Sequence, residues 1–417
     1  MKRKYFPGVN PARYIFTAAA CAISLFLSLL HLIHTGNRPW SEERLAINGP
    51  SYLRGMVSIL EKNNFLDLED LRHAPGYQIY LSFLYKTFPL EKQYFILVKT
   101  ASWGFFLLTL LLVFRIGEKH FGRYTGIFGV LIMAYSHKAF VYISLLQYEI
   151  PALFLTTLLL YMLLEWSPGC RYSVLYLICC GLLAGLAALL HIRFVLLFAA
   201  GIIFLFLRMP KESFSARLKY TAVFIFPFLF LFGSWILYQS FRLGKFFPGT
   251  TDIRWLFSLR NNLNAQGYNF PYPVLSEPSG FAFILGQPLV FFKLLCLRIL
   301  YLWDLKRDIW YLGHPISSLF FPSKGFPAEF IFNLTGMLLF ICGMFLKLIR
   351  DIKEGWFRKR MPLYLFFAAL PVASLLISSG SRLLIPVLSL VALFQGYALK
   401  EIITVLKHFS GTDRVTD

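Results

Sequence analysis

Charge is scarce in this chain, and acidic charge is scarcest. Asp and Glu number 21 against 41 Lys and Arg, and charged residues make up 15% of the 417. Soluble domains carry about 25% charged residues. With 57% hydrophobic residues and 45 Phe, one globular core cannot hide the apolar excess, so a soluble enzyme is excluded. Cysteine is sparse as well. Cys21, Cys170, Cys179, Cys180, Cys296 and Cys342 lie mostly in apolar segments and show no C-x-x-C spacing. A disulfide framework and a cysteine zinc site are therefore not indicated, and buried apolar cysteine is the plain reading. Low-complexity stretches, a persuasive internal repeat and a basic stripe on a soluble domain are also missing. The formal charge of +20 thus points away from nucleic acid.

The apolar residues arrive in blocks of roughly 16–23, the length that crosses a hydrocarbon core of about 30 Å. The blocks fall near 14–33, 93–114, 124–141, 150–165, 174–190, 194–208, 219–240, 328–348, 362–378 and 383–402. The expectation is an all-α polytopic membrane protein of about ten spans, a single membrane domain over 1–417 with both termini cytoplasmic. The first run ends in HTGNRPW rather than a small-residue exit site, so it reads as a retained span. Basic clusters lie between blocks, at Lys2–Lys4, Arg115/Lys119/Arg123, Lys211/Arg217/Lys219 and Arg358–Arg360, and the positive-inside rule places them in the cytoplasm. Loops 35–92 and 241–327 then fall outside, and the first holds seven of the 21 acidic residues. Within them, GYQIYLSFLYKTF (76–88) is too short to span and fits an interfacial amphipathic helix. PLVFFKLLCLRILYLWDL (288–305), interrupted by Lys293 and Arg298, reads as interfacial or re-entrant.

Ionisable residues at the membrane face are functional candidates. The topology gathers His137, Lys138, Glu149, His191, Arg193 and Arg382 on the outer side, with the acidic first loop. Each has a simpler reading: Glu149 as an N-terminal residue of a helix before Pro151, the arginines as snorkelling cations, His191 as an interfacial histidine. Their common side is what makes them a set, suited to a substrate with an anionic head and a long apolar tail.

Four stretches in order carry a family resemblance over roughly 14–400. They are SYLRGMVSILEKNNF with RHAPGYQIYLSFLYKTF, then AYSHKAFVYISLLQYEIPALFLTTLLLYMLL, then GLLAGLAALLHIRFVLLFAA, then SGSRLLIPVLSLVALFQGYAL with Arg382 and Pro386. They resemble the GT-C superfamily of membrane glycosyltransferases, of the family 39 type that includes protein mannosyltransferases and aminoarabinose transferases. The resemblance implies a GT-C topology with juxtamembrane helices in a large first outer loop. It also implies a bacterial inner (plasma) membrane, and transfer of a sugar from a polyprenyl-phosphate donor to a protein, lipid A, glycolipid or cell-wall glycan acceptor on the extracytoplasmic face.

Such a reaction needs a base for the acceptor hydroxyl and cations for the departing phosphate. The resemblance assigns Arg193 and Arg382 to the phosphate, because a guanidinium grips its oxygens bidentately, with His73, Lys138 and His191 as helpers. The family's first-loop Asp, about four residues before the motif Tyr, falls here on Asn48, which cannot accept a proton at neutral pH. Glu42 and Glu43 lie just upstream, in E-E-R spacing, and are the alternative bases. If neither serves, the chain is a degenerate relative that binds lipid-linked sugars without transferring them. A flippase is a third reading, distinguished by donor crossing the bilayer without acceptor. Glu42 or Glu43 with Glu149 and a histidine form a donor set for Mg, Mn or Zn, but no HExxH-like spacing supports it and ordinary charge–hydrogen-bond pairing is favoured. The loop 241–327 is the expected acceptor-side element.

Overall fold

The computed structural model describes residues 22, 26, 49–62, 73–88, 94–134, 136, 139, 142–143, 145–169, 172–209, 212–247, 257–258, 261, 278–303, 305, 326–372 and 381–409. Among them the chain is helical, without a strand. Lipid offers no hydrogen-bond partners, so an apolar block must satisfy its backbone within itself, as a helix does.

Two short helices come first, α1 (Gly49–Lys62) and α2 (Gly76–Thr87). They pack on each other, with α2 also resting on α6 (Ser173–Leu190). The central bundle is built from α3 (Tyr94–His120), α4 (Arg123–Ala134), α5 (Glu149–Glu165), α6, α7 (Val195–Arg208) and α8 (Phe214–Leu243). Within the expected second outer loop, 241–327, lie α9 (Gly280–Gly286) and α10 (Pro288–Leu302), and α11 (Phe326–Lys353), α12 (Phe357–Phe367) and α13 (Leu388–Phe409) follow. α13 is the most enclosed, buried from Leu388 to Ala398 between α4 and α11.

Polar bonds and close backbone approaches join these helices where hydrophobicity gives no preference for protein over lipid. The Thr157 hydroxyl donates to Ser389 Oγ at 2.9 Å, tying α5 to α13. The Gln395 amide donates to the Gly336 carbonyl at 2.8 Å, tying α13 to α11. At Gly343 a Cβ would stand 1.9 Å from the Phe394 carbonyl oxygen, so α11 and α13 meet backbone to backbone. Pro227 inside α8 and Pro362 inside α12 each precede a wide turn, Leu229–Gly233 and Ala368–Val372. Proline removes a donor from the helical ladder, and a π-turn is one way of absorbing the mismatch.

Five helical stretches are long and apolar enough to cross a membrane: Ile96–His120, Ser173–Leu190, Phe214–Leu243, Phe330–Lys353 and Leu384–Phe409. A sixth results if α9 and α10, bent by 110° at their junction, form one broken span. The bend falls just before 288–305, which the sequence reads as interfacial or re-entrant, and it fits either a broken span or a re-entrant loop. Ten spans are not established by the described residues. Of the first expected span only residues 22 and 26 are described, and α4 stops at Ala134 rather than 141. α5, α7 and α12 contain 17, 14 and 11 residues, short for independent spans. The long α3, α8 and α11 run past their expected ends because polar residues continue the helix once the apolar stretch is over.

Candidate functional site

α1, α2, α5 and the break between α6 and α7 converge at one end of the bundle. Gly76 explains the closeness. A Cβ there would lie 2.7 Å from the carbonyl carbon and oxygen of Leu189, so only glycine lets the start of α2 rest on the last turn of α6. The Pro75-Gly76-Tyr77 sequence thereby brings His73 and Tyr77 beside Tyr52 of α1. Tyr52 lies 4.9 Å from the His73 ring and 5.0 Å, edge-on, from Tyr77. It also faces Tyr148 at 6.3 Å, edge-on, and Tyr148 lies 5.1 Å from His191. A train of rings thus links four segments far apart in the chain.

α6 ends at Leu190 because His191 adopts an extended backbone, and a single 3-10 turn, Ile192–Phe194, leads into α7. The His191 Nδ1 accepts a hydrogen bond from the Arg193 backbone N–H at 3.2 Å. In the neutral ring, that bond leaves the proton on Nε2. The turn sets the Arg193 guanidinium over two rings, 5.6 Å from the centre of Tyr148 and 5.1 Å from that of Phe194. Its Nε and Nη2 are buried and have no hydrogen-bond partner among the described residues. A buried donor left unpaired costs about 1–3 kcal/mol, more when charged.

Glu149 is the first residue of α5 and is fully buried. The positive end of the helix dipole favours its carboxylate there. The Gln147 amide, oriented by this network, donates to both carboxylate oxygens at 3.1 and 3.3 Å. Glu149 thus has the helix-start position that the sequence suggests, inside protein rather than at a solvated surface.

The structure brings together His73, Glu149, His191 and Arg193. Arg382 lies in the 3-10 turn Ser381–Val387, which packs on α5 and α10; its side chain is outside the described set. Glu42, Glu43, Asn48 and Lys138 also lie outside the described residues, as does His137. Sequence reasoning did not single out Gln147, Tyr148 and Phe194 as site residues. Only their adjacency to Glu149 and Arg193 signalled them, and Tyr and Phe are too common here for composition to pick them out. No group of three or more His, Cys, Asp or Glu able to hold a metal ion occurs among the described residues. The Mg, Mn or Zn donor set suggested by the sequence cannot be assembled from these residues, since Glu42 and Glu43 are not among them, and no chemical step is assigned to a metal.

Residues 73–236 match the family described as dolichyl-phosphate-mannose-protein mannosyltransferase, a stretch that holds His73, Glu149, His191 and Arg193 and ends before Arg382. The fold is similar to that of ArnT from Cupriavidus metallidurans bound to undecaprenyl phosphate, with a TM-score of 0.56 at 14% identity, over 93% of this chain and 60% of that one. It is also similar to the Archaeoglobus fulgidus oligosaccharyltransferase in the apo form, with a TM-score of 0.54 at 14% identity, over 99% of this chain and 52% of that one. The same oligosaccharyltransferase in complex with Zn and sulfate aligns at a TM-score of 0.53 and 15% identity, over 94% of this chain and 50% of that one. This chain therefore spans 60% or less of the length of these proteins. A comparison with curated protein sequences finds no match. The resemblance read from the sequence and the all-helical membrane fold both stand.

Proposed function

We propose that this protein is a membrane glycosyltransferase that takes a sugar from a polyprenyl-phosphate donor and passes it to a hydroxyl acceptor at the extracytoplasmic face. The observation that carries the reading is Arg193. Its guanidinium, held between Tyr148 and Phe194, keeps two buried nitrogens without a partner among the described residues, beside His191 and the buried Glu149. An anion with several oxygens answers that need, and a departing phosphate is such an anion. The family match over 73–236 and the fold likeness to ArnT bound to undecaprenyl phosphate point to the same donor class.

In the reaction, a bond forms from the acceptor oxygen to the anomeric carbon while the bond from that carbon to the phosphate oxygen breaks. The acceptor proton goes to a base, Glu42 or Glu43, and the bonding electrons stay on the polyprenyl phosphate. Arg193 and Arg382 hold the negative charge as it develops, with His73, Lys138 and His191 as further donors near it. Glu149 supplies a fixed negative charge that orients the cations around it. The acceptor, a protein, lipid or glycan, is met by the loop 241–327. The transferred group is a hexosyl or pentosyl unit, and the setting is a bacterial inner membrane with both termini cytoplasmic.

Asn48 favours a second reading, a degenerate relative that binds the lipid-linked sugar without transferring it. The test is transfer by the purified chain in lipid, with radiolabelled polyprenyl-phosphate sugars and membrane acceptors, beside Glu42→Gln, Glu43→Gln, Asn48→Asp and Glu149→Gln. Loss of transfer in a Glu42 or Glu43 variant supports the enzyme. A silent parent that gains transfer on Asn48→Asp supports the degenerate relative. A silent parent that neither binds donor nor gains transfer would sink both.

A further inference from the structure

At the opposite end of the bundle a second group of cations converges. α5 carries Glu149 at one end and Glu165 at the other, about 24 Å apart at the rise of an α-helix. α7 likewise runs from beside Arg193 to Arg208. α12 packs on α7, and its first turn reads Phe357-Arg358-Lys359-Arg360, with no acidic residue and no side-chain cap. A helix N-terminus favours anions, so three successive cations there work against the helix unless an anion joins them.

The partners at hand do not fill that need. Arg360 donates through Nη1 to Asp351 at 2.5 Å, while its Nε is buried without a hydrogen-bond partner among the described residues. The Lys359 ammonium and the Arg208 guanidinium make no hydrogen bond or ion pair among the described residues. The Lys359 ammonium and the Arg360 guanidinium lie 5.0 and 5.3 Å from the Trp356 ring. Glu165 is already ion-paired with Lys119, and the His120 Nε2, itself buried and without a hydrogen bond, stands 3.4 Å from it. Asp351 is shared by Lys347, Arg360 and Tyr364. Burial, with repulsion from Arg208 and Lys119, holds the Lys359 ammonium below its ordinary value. These groups therefore feel one another, and the cluster remains net positive.

We propose that Arg208, Lys359 and Arg360, with Trp356 alongside, form a binding site for a phosphate-bearing headgroup at this second membrane face. Arginine forks and a lysine ammonium match anionic phosphate oxygens. An indole suits the boundary between headgroup and tail. Ile203 and Leu207, exposed on α7 in the two turns before Arg208, offer apolar surface for acyl chains, which favours a lipid-borne phosphate over a free one. The site stands apart from the glycosyl-transfer reading and does not depend on it.

The experiment uses the purified full chain in detergent, with bound phosphatidylglycerol and phosphatidylcholine counted by native mass spectrometry and inorganic phosphate tested by thermal shift. Selective retention of phosphatidylglycerol is expected, weakened about fivefold by each of Lys359→Gln and Arg208→Gln. Lys353→Gln, an exposed cation in the last turn of α11, should leave retention unchanged. If Arg208→Gln unfolds, Lys359→Gln still decides. Protection by inorganic phosphate that depends on Lys359 supports the site and assigns its source as free phosphate. Equal retention of both lipids without a phosphate effect overturns the proposal, and so does an equal loss with Lys353→Gln.

Discussion

The two ends of the bundle treat their buried charges differently. Asp351, at the end of the bundle away from the candidate site, has no exposed surface and is met by Lys347 at 2.6 Å, Arg360 at 2.5 Å and the Tyr364 hydroxyl at 2.9 Å. Glu149, at the candidate site, is equally buried, and the Gln147 amide and a helix start are among the groups that meet it. Arg193 beside it lies on aromatic faces with two nitrogens unpaired among the described residues. A buried charge ringed by opposite charges is a joint between helices. A buried charge left among rings is a cost that folding tolerates where a ligand later offsets it. The difference teaches which buried charge the protein already holds by itself, Asp351, and which has room for a partner, Arg193.

That contrast can be broken by substitution. The largest effect is expected at the joint. Asp351→Ala leaves Lys347 uncompensated, and breaking a buried pair in this way costs about 3–5 kcal/mol. Thermal unfolding of the purified protein should show the loss, with transfer per folded molecule preserved. An unchanged midpoint would mean that the network is not a joint.

At the other end the effect should appear in activity. Arg193→Ala is expected to reduce transfer about 10²–10³-fold, the usual consequence of removing one donor to a developing anion. The unfolding midpoint should hold or rise, because the substitution removes an unsatisfied charge. A fall in stability with unchanged turnover would reverse the assignment of the two ends.

A smaller effect sharpens the geometry. Gly76→Ala pushes a methyl against the Leu189 backbone, which cannot swing aside as a side chain could. Overpacking of this kind costs about 1–3 kcal/mol. It should move α2 away from α6 and weaken donor binding along with stability, as read by unfolding and by a donor titration.

The smallest effect is at the surface. Glu354 is exposed, and its hydrogen bond from Arg350 holds the carboxyl below the usual carboxylate range. With its folded value lowered, any stabilisation is present above the unfolded pKa and is lost as pH falls through the folded one. Glu354→Gln should leave the midpoint at neutral pH within error and flatten only the acid end of a stability–pH profile.

Much of the fold was legible because lipid imposes a simple demand. Apolar blocks ending in charged or turn residues gave α5, α6 and α7 close to their observed bounds. Lys293 and Arg298 set 288–305 apart in the sequence, and in the structure it forms one helix, Pro288–Leu302, bent sharply against the helix before it. At the site, Glu149, His191 and Arg193 were legible from their places at helix ends. Tyr148 and Phe194 were not, because 18% of the chain is aromatic and another ring carries no signal. Asp351 was hidden for a different reason: within the basic run before Arg358–Arg360 it reads as an ordinary solvated charge, and only folding buries it.

The sequence by itself determined that this is a helical membrane protein, where several of its helices start and stop, and which family it resembles. Those properties follow from transfer free energies and backbone satisfaction, which act locally along the chain. Tertiary structure alone decided which charges are paired. Whether a guanidinium finds a carboxylate depends on residues brought together from distant helices, as Lys347, Asp351 and Arg360 are across α11 and α12. The same packing, allowed by the missing side chain of Gly76, gathers Tyr52, His73, Tyr148 and His191 around Arg193 without giving its free nitrogens a partner among the described residues.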